Sequence, residues 1–318
     1  MKKKYTIEVP VNSSPLSRLI ELDRQDDFHI VVYGGIPDSP LNGGRNNFLL
    51  DREKFLGRLF FGINKIQLTA AFQRFYANIE KTNAGGIPFY LALTNMFVTK
   101  DELIEENLRP IDRLVESGRK HGVKNGLIIY SKLLENNLRQ KYGGELAYVS
   151  SCTKYSVADR ILSPRDTLKM YKEDLLNYDY IVLTPQDSRR EKVIREALKD
   201  NPAKVICICN SYCANNCNCY QHYELFSREN KRSLLKIKSG YILISGILFM
   251  LKHLTVCPVV RPPFQKIDFR PIAQMQLAAG VVYFKLGRGI GDDFLEQLVL
   301  MIKESRNSRT LLQESLPT

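Results

Sequence analysis

The feature that most constrains this chain is an alternation. Short apolar, β-branched runs are each followed by a longer charged stretch with helical spacing. The runs fall at 29–33, 63–69, 88–93, 126–130, 146–149, 180–183, 204–208 and 281–286. In the second, Asn64, Lys65 and Gln67 interrupt the apolar pattern. Near-continuous apolar strands separated by helices mean parallel strands covered on both faces. Eight such units in one chain of 318 residues predict a single-domain α/β fold, a closed (β/α)8 TIM-like barrel. A doubly wound open sheet is the competing architecture.

Local signals agree. Thr99 with Glu102, and Ser188 with Glu191, have capping-box spacing just after the third and sixth runs. Ser163-Pro164 reads as a cap followed by proline at the first helical position. No Pro-, Gly- or Ser-rich linker divides the chain. The expected organisation is a peripheral N-terminal segment at 1–27, the barrel at 28–306 and a tail at 307–318. The stretch at about 210–270 is longer than one βα unit needs and reads as an insertion. Insertions at the C-terminal ends of barrel strands build active sites.

That insertion carries the chemistry. Strand seven and its continuation read AKVICICNSYCANNCNCYQHYE. Cys207 and Cys209 alternate within the strand and read as small apolar core residues. Cys213, Cys217 and Cys219 lie beyond it, among the loop formers Asn215, Asn216 and Asn218. Cys257 follows much later, and Cys152 comes just after strand five. Thiolates hold iron–sulfur clusters, usually four at a time, and tetrahedral zinc takes the same ligands. The spacing Cys213-x3-Cys217-x-Cys219 is neither a common zinc knuckle nor a redox CxxC pair. The candidate ligand set is Cys213, Cys217, Cys219 and Cys257, with Cys152 and His222 as alternates, for a 4Fe–4S cluster or, alternatively, zinc. Free structural thiols are the other reading.

The start MKKKYTIEVP is basic, with no apolar segment after it, and the longest apolar run, 241–251, is too short to span a bilayer. The expectation is a cytoplasmic protein without a membrane partner, in a compartment where thiols stay reduced. A formal charge of +12 suits RNA or an anionic small substrate, and equally a basic solvated surface.

Several segments together resemble the collagenase-like peptidases, family thirty-two of the unclassified peptidases. VVYGG followed by LNGGRNN is similar to that family's first strand and loop, which leads to an Arg, here Arg45. VKNGLIIYS and ELAYVSSCT look like its fourth and fifth strands. NSYCANNCNCYQHY resembles the Cys-rich segment of one branch, with Asn218 where that branch has Pro. FRPIAQMQLAAGVVYFKLGR resembles its closing strand, which ends in a Lys-x-x-Gly-Arg-like signature; here Lys285, Leu286, Gly287 and Arg288 stand there, one residue shorter. The resemblance implies a barrel enzyme. In one group of relatives a four-iron cluster on cysteines serves oxygen-independent hydroxylation of a quinone precursor or of uridine in RNA. In others the activity is described as proteolysis. A peptidase or hydrolase is therefore one alternative to an iron–sulfur redox enzyme, and a non-enzymatic RNA-binding module, suggested by the charge of +12, is another.

Further candidates line the strand ends. Gly287 to Gly291 form a Gly-rich turn before a helix, a ready anion site with Arg288 as its charge. Arg45, Asn95 and Ser151 are catalytic candidates at the barrel mouth. Asp187 reads equally as a helix cap. The four histidines, His29, His121, His222 and His253, stand in no GxSxG or HExxH context.

Overall fold

Strands that are apolar on both faces need cover on both, and a closed barrel wrapped in helices supplies it. The computed structural model describes residues 4–11, 13–43, 65–158, 164–210, 223–224, 227–228, 230–231, 269–287 and 293–314. Its strands are β1 (Tyr5–Pro10), β2 (Phe28–Gly34), β3 (Phe89–Leu93), β4 (Gly126–Ile129), β5 (Ala147–Ser150), β6 (Tyr180–Val182), β7 (Val205–Ile208) and β8 (Tyr283–Lys285). They pair parallel in sequence order, and β1 pairs with β8 to close the barrel. The expected (β/α)8 architecture is the one observed, and the open sheet is excluded.

The described α-helices are α1 (Leu16–Asp23), α2 (Lys65–Ala84), α3 (Glu105–His121), α4 (Lys132–Tyr142), α5 (Cys152–Ala158), α6 (Pro164–Asn177), α7 (Glu191–Leu198), α8 (Arg270–Ala279) and α9 (Asp293–Glu314). The inner faces of α3 and α7 follow helical spacing. In α3 Leu108, Ile111, Leu114, Val115 and Gly118 are buried; in α7 Ile194, Ala197 and Leu198 are. The main core lies between this helical layer and the outward face of the strands, where Ile7, Ile30, Leu91, Leu127 and Cys207 are buried. Cys207 and Cys209 are fully buried, as expected of core residues, and burial pushes the Cys209 thiol up to about 12.

Two expectations about the chain ends are corrected. The segment at 1–27 is not peripheral: it supplies β1, and the first expected run forms β2. The run at 63–69 is no strand from residue 65 onward, because α2 begins at Lys65. The count of eight strands was therefore reached with one false strand and one missed. At the other end, α9 continues to Glu314, through most of the expected tail.

The capping signals divide similarly. The Thr99–Glu102 box forms, with the Glu102 carboxylate accepting from both the backbone N–H and the hydroxyl of Thr99. It closes a 3₁₀ turn at Lys100–Glu102, and α3 starts only at Glu105. The Ser188–Glu191 box does not form. Ser188 is fully buried, and its Oγ accepts instead from the Ile208 N–H at the end of β7. Helix α6 is described from Pro164, and Ser163, its expected cap, lies outside the described residues. Most of the cysteine-bearing insertion at 210–270 lies outside the described residues.

Candidate active site

The strand register sets which side chains enter the lumen. Glu8 is aligned with Lys285 across the β1–β8 seam, and Ile208 is aligned with Lys285 on the other side. Counting in twos from this row gives the inward set, which includes Val31, Tyr33, Tyr90, Ile128, Val149, Val182, Ile206 and Tyr283. A barrel interior is ordinarily filled by branched aliphatic residues. This one holds Tyr33, Tyr90, Tyr180 and Tyr283 as well. Gly126 makes the space: a Cβ there would come within 2.7 Å of the Tyr90 ring. The rings of Tyr180 and Tyr283 meet edge to face at 5.2 Å.

Lys285, the last residue of β8, projects into this aromatic lumen near the C-terminal mouth. Its Nζ pairs with the Glu8 carboxylate and lies 3.7 Å from the centroid of the Tyr33 ring. Tyr33 Oη donates to the Leu286 carbonyl at 2.7 Å, which fixes the ring beneath the ammonium. The Glu8 side chain is fully buried and that of Lys285 is 12% exposed. Glu8 Oε2 and Tyr283 Oη, both buried, have no hydrogen-bond partner among the described residues. Burial, then the neighbouring Tyr90 hydroxyl and the Glu8 carboxylate, hold the Tyr283 phenol well above its ordinary value.

The mouth has a partial roof. Asn95, at the C-terminal end of β3, is fully buried and donates to the carbonyls of Pro40 at 2.6 Å and Ser227 at 2.9 Å. Its Oδ1 accepts from the Phe97 N–H. Ser227 Oγ accepts from the Met96 N–H, Asn230 donates to the Asn42 carbonyl, and Lys231 reaches Glu102 at 2.8 Å. At the end of β5, Cys152 packs on the lumen cluster, with its Sγ 3.6 Å from the hydroxyl of Tyr223. The residues that follow the cysteine run in sequence thus touch loops from three different strands.

Of the sequence candidates, Asn95 is a knot of the mouth, with both ends of its amide engaged. Ser151 is buried at the end of β5, where its Oγ accepts from the Thr153 N–H in the first turn of α5. Asp187 is buried and accepts from Tyr171 Oη at 2.8 Å behind the strands, which ties α6 to the β6 loop. Gly287 abuts the end of β7: its N–H donates to Asn210 Oδ1 at 2.5 Å, and a Cβ would meet the Asn210 carbonyl at 2.8 Å. His29 pairs with Asp23 at the N-terminal end of the barrel, and His121 pairs with Glu80 on the outer layer. Arg45, Arg288, Cys213, Cys217, Cys219, Cys257 and His222 lie outside the described residues.

Among the described residues, Cys152, Cys207 and Cys209 form no disulfide, and no group of three or more His, Cys, Asp or Glu is placed to hold a metal ion. No described helix is long and apolar enough to cross a membrane. Sequence reasoning singled out Lys285 only as part of the closing strand. It missed Glu8, whose signal was a lone acid inside the alternating stretch YTIEVP.

The arrangement defines a (β/α)8 barrel with a Lys–Glu salt bridge and tyrosines in its lumen. Among solved structures the chain is similar to that of a U32 peptidase, at 11% identity over 92% of this chain and 96% of that one, with a TM-score of 0.47. It is also similar to a D-tagatose 3-epimerase-like protein, at 10% identity over 94% and 90% of the two chains, with a TM-score of 0.33. No family model matches the chain, and no curated protein matches its sequence. At these values the likeness assigns neither family nor activity, and the barrel rests on its own strand pairing.

Proposed function

We propose that this chain is a barrel enzyme that works at its C-terminal mouth, and that Cys213, Cys217, Cys219 and Cys257 hold an iron–sulfur cluster beside it. The reaction class is a redox modification, an oxygen-independent hydroxylation or a close relative, of RNA or a small anionic metabolite. One observation carries the reading. The described residues that flank the cysteine run, Asn210 at the end of β7 and Tyr223 against Cys152 at the end of β5, both stand at the mouth. Twelve residues separate them in sequence, and three of these are cysteines. Cys152, at the end of β5 beside Tyr223, is an alternate ligand. The formal charge of +12 suits an anionic substrate. A cluster would supply single electrons, while the chain's own groups at the mouth would bind and orient the substrate and exclude water.

The test is iron and sulfide analysis, with a visible spectrum, on protein purified without oxygen. The expected result is roughly four irons and four sulfides per chain, lost together in the Cys213→Ala and Cys217→Ala variants. Full retention of both in those variants overturns the ligand assignment. Zinc without sulfide would replace the redox reading with a zinc site.

A further inference from the structure

The lumen pair offers a second chemistry that needs neither iron nor cysteine. Taking an ammonium and a carboxylate out of water costs several kcal/mol per ion, and a hydrophobic pair of similar volume is often as stable. The Lys285–Glu8 pair is thus not explained by stability alone. Its surroundings are specific: an aromatic floor from Tyr33, a fully buried carboxylate with one oxygen unpartnered, and a lysine side chain that keeps 12% of its surface exposed. Glu8 is the carboxylate beside Lys285 Nζ and so the group placed to take a proton from it. The unpartnered Glu8 Oε2 and the Tyr283 hydroxyl give a polar wall inside the lumen, and unpaired buried groups of this kind call for a water or a ligand atom.

We propose that Lys285 is an amine nucleophile that condenses with the carbonyl group of a small neutral aldehyde or ketone entering at the mouth, with Glu8 as the base that frees it. The ammonium passes one proton to Glu8. The neutral amine adds to the carbonyl carbon, forming the C–N bond, and the carbonyl oxygen takes the proton that the now cationic nitrogen sheds, giving a carbinolamine. The hydroxyl then leaves as water with the proton that Glu8 returns, and the nitrogen lone pair closes the C=N bond. Overall, one ammonium and one carbonyl compound become one iminium and one water. No redox partner is involved, and the iminium carries the same charge as the ammonium it replaces, so Glu8 remains neutralised.

Acetaldehyde with sodium cyanoborohydride at pH 7 is the probe, because hydride reduction locks the iminium as an ethyl-lysine that peptide mass spectrometry locates. The internal reference is Lys169, whose side chain is 76% exposed. The expected result is ethylation of Lys285 about a hundredfold faster than of Lys169, the scale of one positioned proton-transfer group. The Glu8→Gln variant should lose that advantage, and Lys285→Arg should lose the fast site while keeping the positive charge. Lys285 labelling no faster than Lys169 in the unmodified protein overturns the proposal, and this comparison stands whether or not either variant folds. A folded Glu8→Gln protein, checked by circular dichroism, with an unchanged Lys285 rate overturns the role of Glu8. Because the readout is independent of iron content, it succeeds or fails apart from the cluster reading.

Discussion

Asn125 shows how much of this barrel hangs on single buried amides. It stands just before β4 and is 1% exposed. Its Oδ1 accepts from the Phe89 N–H and from Asn83, both at 2.8 Å, while its Nδ2 donates to Asn83 Oδ1 and to the Leu114 carbonyl. One side chain therefore joins α2, α3 and the start of β3. In the Asn125→Ala variant the Phe89 N–H and both ends of the Asn83 amide lose this partner without access to water. Each orphaned group costs about 1–3 kcal/mol, so a loss of about 4 kcal/mol is expected in urea unfolding, with the fold kept. Such residues are hard to read in a sequence, where an Asn between a helix and a strand looks like a turn former. The site residues divide for a similar reason. Lys285 lay within a segment with a visible pattern. Glu8 stood where a solvent-facing acid would fit equally well, and only barrel closure turns its face into a lumen.

At the scale of elements, α4 is locked to the turn before β6 by a buried acid. Glu135 on α4 is 1% exposed and accepts from the Tyr178 hydroxyl, from Arg139 Nε at 2.8 Å and from Lys132 at 3.1 Å. Burial alone would raise its carboxyl, but the hydrogen bonds from Tyr178, Arg139 and Lys132 outweigh it and hold the group below the usual carboxylate range. A carboxyl depressed in the folded state binds its proton more readily once unfolded. Its stabilisation is therefore full above the unfolded value of about 4.3 and is lost as pH falls through the lower folded value. Glu135→Gln should cost about 2 kcal/mol at pH 7, and its gap to the parent should close as pH drops below about 4, read from urea midpoints across that range. A gap independent of pH would mean that Glu135 acts through packing and not through its charge. Helix α4 has a repeating apolar face, and Ser131 caps it, its Oγ accepting from the Leu134 N–H. The Ser188 box failed because a hydroxyl buried between layers answers to the strand end beside it, which local spacing does not reveal.

For the whole molecule, the decisive element is the one the sequence hid. β1 reads YTIEVP, with Thr6 and Glu8 inward and Tyr5, Ile7 and Val9 on the outward face, so its pattern is that of a half-polar edge strand. In the closed barrel it has no free edge. It aligns with six residues of β2 and three of β8, and the Thr6 N–H donates to the Val282 carbonyl while the Leu286 N–H donates to that of Glu8. Arg18 with Glu296 and Arg306 with Asp27 fasten the same seam from outside. Deleting residues 1–10 would expose the edges of β2 and β8, remove the Glu8 carboxylate from beside Lys285 and bare the partners of Ile7 and Val9. At about 1.5–3 kcal/mol per buried aliphatic side chain, and with two strand ladders lost besides, the damage is comparable to the whole 5–15 kcal/mol that separates folded from unfolded chains. The shortened protein should lose its near-ultraviolet circular dichroism, unfold without a cooperative transition in urea and aggregate through its open edges. A soluble monomer with a sharp transition would mean instead that seven strands and their helices suffice, and that the N-terminal strand only decorates a barrel able to stand open.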